Sequence, residues 1–546
     1  MLKNQYEAIV VGSGATGGVA ALTLAKSGLR VLVIEAGPEL NESQVIGSEP
    51  LNTYRRLTGI ISGRNRIQAQ HPGFWKANPS LYVNEKDNPY TVPEGLPFLW
   101  TQGKQVGGRS HTWGGITLRL SNLDFKAAKT DGYGKCWPIN YEDLKDHYES
   151  VENLLETYGM RDGLEQLPDG NYLEPFPFTN SEKMFAKTVT QKLNYPVIHS
   201  RGFGPHIGKG FPKFSSQGST LKMAIKTGNV DLLPLHIVEK LILNQSQDKA
   251  KGIIAIDQKT GNRKKIESKL IILCASTIQT LKILLNSEEA KQSKGLIDPS
   301  NSIGCNLMDH VSTCRFFSYP TNSKSEDINY AQNKLSGAGS FFIPFGNQLK
   351  VEKEKDFIRG YGIWGAIGRF EPPEFIKKKK YSNIGFLIGH GEVLPYKDNK
   401  VTLSEKSDKW GIPIPHINFK WNTNEKRMVK DMNQTIEKCI QISGGEISPM
   451  NELINIPCLQ QIINQSIALK EEAPPPGYYI HEVGGAPMGN IQEESVLDRY
   501  NRLWQCKNVL VVDGACWTTS SWQSPTLTMM AITRRACLQG IDDLKG

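Results

Sequence analysis

At 546 residues the chain is too long for one ordinary hydrophobic core, so two or more domains are expected. Hydrophobic residues at 39% and charged residues at 22% exclude a disordered chain or a fibre, and a net charge of +9 over this length does not by itself signal a nucleic-acid binder. Nine scattered cysteines with no CxxC pair argue against a zinc knuckle or an iron–sulfur site, so no metal is expected, and they fit a reduced setting.

The chain opens with YEAIVVGSGATGGVAALTLAKSGLRVLVIEAG, which reads as strand, turn, helix, strand. Ile9 to Val11 form an apolar β-branched run. Gly12, Gly14 and Gly17 make G-x-G-x-x-G around Ala15 and Thr16, and a helical pattern runs through Leu24 to a stop at Gly28. Gly12 permits a tight turn, Gly14 lets the backbone approach a pyrophosphate, and Gly17 lets helix and strand pack closely. The helix N-terminus then faces the phosphates. RVLVIEA is a second buried strand ending in Glu35, eighteen residues after Gly17, where a carboxylate can accept hydrogen bonds from a ribose diol. The set predicts a dinucleotide site; the alternative is a glycine-rich turn in another α/β sheet. A motif that starts at Gly12 leaves no room for a signal peptide, and no run approaches the ~18 apolar residues of a membrane span. A cytoplasmic protein is expected, with a peripheral membrane contact left open.

QVGGRSHTWGG, ending at Gly115, packs four glycines among small polar residues and can wrap a flat ring or a pyrophosphate with backbone N–H groups. NYEDLKDHYESVENLLETYG sets Leu144, Tyr148, Val151, Leu155 and Tyr158 on one face of an amphipathic helix. The densest basic run, Lys377 to Lys380, reads as a solvated loop. KVTLSEKSDKWGIPIPHINFKW reads as strand, turn, strand. No internal repeat is found. HEVGGAPMG then places a single histidine, His481, before a glycine-rich run. KNVLVVDGACW forms a buried strand over Val509 to Val512 with Asp513 and Gly514 at its carboxyl end. SPTLTMMAITRRAC starts a helix with Ser524 as N-cap and Pro525 in its first turn. That helix N-terminus carries partial positive charge suited to the pyrimidine end of a flavin. A nicotinamide domain is usually contiguous, so a second cofactor-like segment at the far end of the chain favours FAD over NAD.

These motifs, in this order and with LIILCASTIQTLKILLNS and IGCNLMDH between them, resemble the glucose–methanol–choline (GMC) oxidoreductases. Within that family they resemble the branch that includes sugar and gluconate dehydrogenase flavoprotein subunits. The resemblance covers nearly the whole chain. It implies an α/β fold (α+β overall) in which a Rossmann-like FAD domain is assembled from residues 1–130, 216–315 and 471–546. A substrate domain from 131–215 and 316–470 would roof the flavin with an antiparallel sheet. It implies further cofactor contacts at Gly107, Gly108, Ser110, Gly115, the backbone of Val238, Asp513, Gly514, Pro525 and Thr526. Some relatives tether FAD through a histidine one place after His111, where this chain has Thr112, so non-covalent FAD is expected.

The same resemblance places His481 over flavin N5, where it takes the hydroxyl proton while the carbinol hydride moves to N5. That task suits a base that is neutral near pH 7 and cationic in the transition state. The competing reading is a satisfied loop histidine. Glu482 leans into solvent or tunes the site; both stay open. The family's second polar residue, usually Asn or His, corresponds to Ser524, with Gln523 beside it as a second candidate contact. Ser524 is also explained by helix capping alone. Pro487 stands where relatives carry Arg or a similar residue. His310 matches a structural motif and is read as non-catalytic. The expected activity is FAD-dependent oxidation of a sugar, polyol or related alcohol. Alternatives are an oxidase that passes electrons to O2 and a flavin binder that has lost catalysis, which Ser524 motivates. No nucleic-acid partner is expected, and the electron acceptor is unassigned.

Overall fold

The structure is a computed structural model describing residues 5–288, 295–320, 334–345, 355–370, 377–378, 382–453 and 473–546. Ala8–Val11, Val31–Ile34 and Leu270–Leu273 are buried at every position. Short apolar runs without alternation belong in a parallel sheet covered on both faces. Together with Val230–Leu233 and Val509–Val511 they form a five-stranded parallel sheet in the order 509–511, 270–273, 8–11, 31–34, 230–233. The fingerprint helix Ala15–Lys26 packs between Thr220–Lys226 and the C-terminal helix Thr526–Lys545. That packing brings the two ends of the chain together. A Cβ at Gly17 would overlap the Gly12 carbonyl, and one at Gly12 (φ 98°) the Cys274 carbonyl, so turn, helix and strand meet only through glycine.

A six-stranded sheet stands beside this layer, in the order 446–447, 310–320, 382–392, 361–367, 341–345, 198–199. Its strand pairs are antiparallel throughout. Helix Thr423–Ile442 lies on this sheet. Gly389 and Gly391 admit it, because side chains there would run into Met432 and Met428. On the sheet, Gly362 takes the ring of Trp522 in the same way, which seats the segment before the C-terminal helix. The fold is therefore mixed α/β, a Rossmann-like parallel layer with an antiparallel partner, as expected.

The hairpin Lys400–Ser407 with Pro413–Asn418 forms as read from sequence. The amphipathic helix spans Lys145–Leu155 and buries Tyr148, Val151 and Leu155. Tyr158 is not part of it. Glu156 takes φ 55° and ends the helix, and Tyr158 bridges Leu173 and Gly202 instead. Of the basic run, Lys379 and Lys380 lie outside the described residues. Among the described residues no helix is long and apolar enough to cross a membrane.

Candidate active site

The fingerprint turn presents an open backbone. A Cβ added at Gly14 would meet nothing nearer than the Gly107 carbonyl at 4.0 Å. Gly14 is also the N-cap of Ala15–Lys26 and offers no side chain, so the first helical N–H groups have no side-chain partner. Such a terminus suits an anion. Thr16 is buried in the first turn of this helix and Ala15 packs against the core. Glu35, at the end of the second strand, accepts from Ser13 Oγ at 2.6 Å, Ser13 N at 3.1 Å and Gly37 N at 2.8 Å. Burial pushes its carboxyl up, and these hydrogen bonds pull it back.

The glycine-rich loop reaches this turn. Gly107 (φ 90°) donates its N–H to Ser13 Oγ at 3.0 Å, and Gly108 (φ 50°) faces the Gly14 Cα. Ser110 Oγ donates to the Gly107 carbonyl at 2.5 Å and accepts from Ser216 N at 2.9 Å. Gly115 lies further along the same loop. Its carbonyl accepts from Phe203 N at 2.9 Å, at the crossing into the antiparallel layer. Val238 lies two residues after His236, whose N–H donates to the Glu35 carbonyl at 3.0 Å, and its side chain is core. His111 points its Nε2 at the Val106 carbonyl (3.0 Å) and Gln217 Oε1 (3.2 Å).

His481 is fixed by residues far from it in sequence. Its backbone N–H donates to Asp309 Oδ1 at 2.9 Å, and Asp309 Oδ2 accepts from Gly477 N. Its Nδ1 lies 2.9 Å from His310 Nδ1, and His310 Nε2 lies 2.5 Å from the Ser521 carbonyl. A carbonyl only accepts, so His310 carries its proton on Nε2. His310 Nδ1 is then an acceptor, and His481 must donate from Nδ1. The lone pair of His481 is thereby left on Nε2. Burial, then His310, His390 and the Arg109 cation, hold His481 well below the usual histidine range, and burial lowers His310 to about 4. Tyr479 and His390 complete the wall: the Tyr479 ring is 4.8 Å from that of His481 and 5.2 Å from that of His390.

Glu482 does not lean into solvent. It is buried and pairs with Arg109 Nη1 at 2.9 Å, while Arg109 Nη2 donates to Ser276 Oγ at 3.0 Å. Ser276 itself sits at φ 78°, an uncommon conformation for a non-glycine residue. Asp513 accepts from Thr280 Oγ1 at 2.5 Å and Ala515 N at 3.0 Å, and burial raises its carboxyl to about 6. Gly514 leaves room for Thr277 and accepts from Gly484 N at 2.7 Å, which zips the HEVGGAPMG loop to the DGAC turn.

The expected cap is corrected. The C-terminal helix begins at Thr526 with Pro525 at the N-cap position and no side-chain cap. Pro525 is already helical, with φ −75° and ψ −18°, so the boundary falls one residue beyond Ser524. Ser524 is 7% exposed, and its hydroxyl makes no hydrogen bond among those of the described residues. Gln523 is instead tied through Nε2 to Asp124 Oδ2 (2.9 Å) and the Gln166 carbonyl (3.2 Å). Asp309, Arg109 and Tyr479 escape a reading of separate motifs. His310, read from its motif as structural, holds the His481 ring, and the sequence signal for it and Asp309 is the adjacent Asp–His pair closing NLMDH.

A glycine cradle with two uncapped helix N-termini, together with a histidine with a free Nε2, fits the class of dinucleotide-cofactor oxidoreductases. The comparisons make that class specific. The chain belongs to the GMC oxidoreductase family: the family's N-terminal profile matches residues 6–312 and its C-terminal profile residues 395–533. It is accordingly a flavoprotein oxidoreductase acting on CH–OH groups. The chain is 23% identical to the fructose dehydrogenase large subunit of Gluconobacter japonicus, over 99% of this chain and 98% of that one. It is 25% identical to 2-methyl-1,2-propanediol dehydrogenase of Mycolicibacterium austroafricanum, over 98% and 94%. In fold it is similar to a variant of formate oxidase from Aspergillus oryzae RIB40, with TM-score 0.66 and 15% identity over 100% of both chains. It is also similar to pyridoxine 4-oxidase from Mesorbium loti, with TM-score 0.63 and 16% identity over 98% and 99%.

Proposed function

We propose that the chain is a dehydrogenase that oxidises the carbinol of a sugar, polyol or related alcohol, with non-covalent FAD and with His481 as the base. One observation carries this reading: the hydrogen-bond chain from the Ser521 carbonyl through His310 leaves the His481 lone pair on Nε2. A neutral imidazole with one committed proton and one free nitrogen is the form that can take a hydroxyl proton. When bound, FAD supplies a two-electron hydride acceptor. The Gly12–Gly17 turn, with Ala15 and Thr16, would receive its pyrophosphate at the helix N-terminus, and Glu35 the ribose diol. Gly107, Gly108, Ser110, Gly115, the Val238 backbone, Asp513, Gly514, Pro525 and Thr526 complete the set. Thr112 at the tethering position supports a non-covalent cofactor. Ser524, with its hydroxyl uncommitted, is the second polar contact to substrate; Gln523 contributes by holding Asp124. In this reading residues 1–130, 216–315 and 471–546 bind FAD and 131–215 with 316–470 bind substrate.

The purified chain should be yellow and release intact FAD on denaturation. Anaerobic flavin bleaching should then be scored against fructose, 2-methyl-1,2-propanediol and a panel of polyols. His481→Ala should keep FAD and lose bleaching by at least ~100-fold, the lower end for a general base. An unchanged bleaching rate in that variant removes His481 from the chemistry, and a chain that takes up no FAD ends the reading.

A further inference from the structure

Helix Glu49–Ile61, EPLNTYRRLTGII, is built inside out. The residues it turns to the protein are Asn52, Arg56 and Gly59, all buried. Leu51, Tyr54, Leu57 and Ile61 are 42%, 65%, 41% and 78% exposed. A surface helix of a globular protein normally shows the reverse. The inner side is secured by polar contacts. Arg56 Nε donates to the Phe74 carbonyl at 3.2 Å and Nη2 to the Ala77 carbonyl at 2.9 Å, and Nη1 pairs with Glu49. Gly59 admits the Asn65 side chain, which a Cβ would overlap. Ile60 packs on the cluster of Val45, Phe74, Leu81 and Tyr82, while Leu51, Tyr54, Leu57 and Ile61 stay exposed. Spaced at 51, 54, 57 and 61, they fall on one stripe. Ile46, the last residue of the preceding helix Glu42–Ile46, is also 47% exposed. A contiguous apolar patch of this kind marks an interaction surface.

Charge decides what covers it. Arg55 beside the stripe, and Arg64, Arg66 and Lys86 at its C-terminal end, are exposed and form no salt bridge among the described residues. The neighbouring acids are engaged: Glu49 with Arg56, Asp87 with Asn84 and Lys409, and Glu42 with the Gly210 N–H. On a second copy of this face the neighbouring carboxylates would already carry partners of their own. A layer of anionic lipid headgroups satisfies both the apolar stripe and the cationic rim. We propose that helix Glu49–Ile61 is an interfacial anchor that lays the protein on an anionic lipid surface. The helix packs on Pro79–Leu81, which packs on the cofactor loop Gly108–His111, so docking would set the site beside the bilayer.

The test is flotation of the FAD-loaded protein with vesicles of equimolar phosphatidylcholine and phosphatidylglycerol, and with phosphatidylcholine alone. The wild type should float with the mixed vesicles and much less with the neutral ones, and added salt should release it. The double variant Leu57→Asp with Ile61→Asp changes only exposed side chains. It should lose partitioning by roughly tenfold or more with its flavin spectrum unchanged. Arg64→Glu with Arg66→Glu should erase the preference for the anionic vesicles. In Tyr54→Trp the indole emission should shift to the blue when mixed vesicles are added. No flotation with the mixed vesicles, or flotation that survives Leu57→Asp with Ile61→Asp, overturns the proposal. So does a dimer in light scattering that this double variant dissolves while vesicles remain unbound, since the face then belongs to a second copy.

Discussion

Replacing His310 tests the proposed base without touching it. His310 Nδ1 is the acceptor for His481 Nδ1, at 2.9 Å, and its Nε2 is anchored on the Ser521 carbonyl. In His310→Leu the His481 N–H loses that acceptor in a buried site, and the imidazole is free to turn or to move its proton to Nε2. A lost hydrogen bond with one buried partner left behind costs about 1–3 kcal/mol, which corresponds to a roughly 5- to 150-fold loss of productive His481. In His310→Asn the amide oxygen sits near the position of Nδ1 and can still accept, so much of the rate should return. The assay is stopped-flow bleaching of bound flavin under anaerobic conditions, with FAD content and thermal midpoint checked for each variant. The pH profile adds a second readout. The cationic form of His481 is disfavoured in the fold, so the base stays neutral, and the rate constant, as pH falls to and below the ordinary histidine value of 6.5. Activity is lost only when pH passes the lowered folded value. Equal rates for wild type and His310→Leu, or an acid limb above pH 6.5 in the wild type, would refute the hydrogen-bond chain as the source of the base.

The cradle separates folding from cofactor retention. Gly17→Ala drives a Cβ into the Gly12 carbonyl and should cost at least about 1–3 kcal/mol, seen as a lowered melting temperature. In Gly14→Ala the added Cβ meets no protein atom nearer than the Gly107 carbonyl at 4.0 Å, so the variant should melt normally while losing FAD; a normal flavin content in it breaks the placement. Glu35→Ala should weaken FAD retention by about ten- to a hundredfold, read by dilution and filtration, from a lost charge-assisted bond pair of about 1.5–3 kcal/mol. Ser524→Asn should fold as wild type, because Ser524 caps nothing. In a working site shaped around serine its bleaching rates should be equal or lower, and a large gain across the whole substrate panel would instead indicate a site that had lost catalysis.

What could be read from the chain was local. G-x-G-x-x-G between two apolar runs is legible because Gly17 is demanded by the Gly12 carbonyl within one βαβ unit, although Gly12 itself is demanded by the distant Cys274 carbonyl. The hairpin at 400–418 is legible for the same reason. Strand Ser382–Glu392, SNIGFLIGHGE, is not, because its glycines at 385, 389 and 391 depress the strand signal. Their reason lies in Phe317, Met432 and Met428, which come from other elements. The active-site partners were hidden by distance: His481 and His310 are separated by 171 positions, and Arg109 and Glu482 by 373. At Ser524 the structure departs from the capping pattern by one residue. A good capping residue before a proline predicts a cap, but the helical geometry starts at Pro525, so the hydroxyl is left uncommitted.

The position of His481 follows from both sheets rather than from its own loop. Ile480, immediately before it, holds φ 64°, which a β-branched residue resists. That conformation persists because Asp309 accepts from both Gly477 N and His481 N, clamping the segment on either side. His310 is the first residue of strand His310–Pro320 and Asp309 directly precedes it, so this clamp belongs to the antiparallel layer. The residues that follow belong to the other layer: Gly484, Ala486 and Met488 donate their N–H groups to the carbonyls of Gly514, Ala515 and Cys516, just past the parallel strand Val509–Val511. His481 is thus the joint at which the chain changes sheets. Its ring is oriented by the antiparallel layer, while its backbone continues into the turn beside the cofactor cradle. A shift of one layer against the other therefore changes the distance from Nε2 to the cradle directly. In the proposed mechanism a packing position such as Gly389, beneath helix Thr423–Ile442, would bear on the rate through the seat of His310 rather than through any contact with substrate.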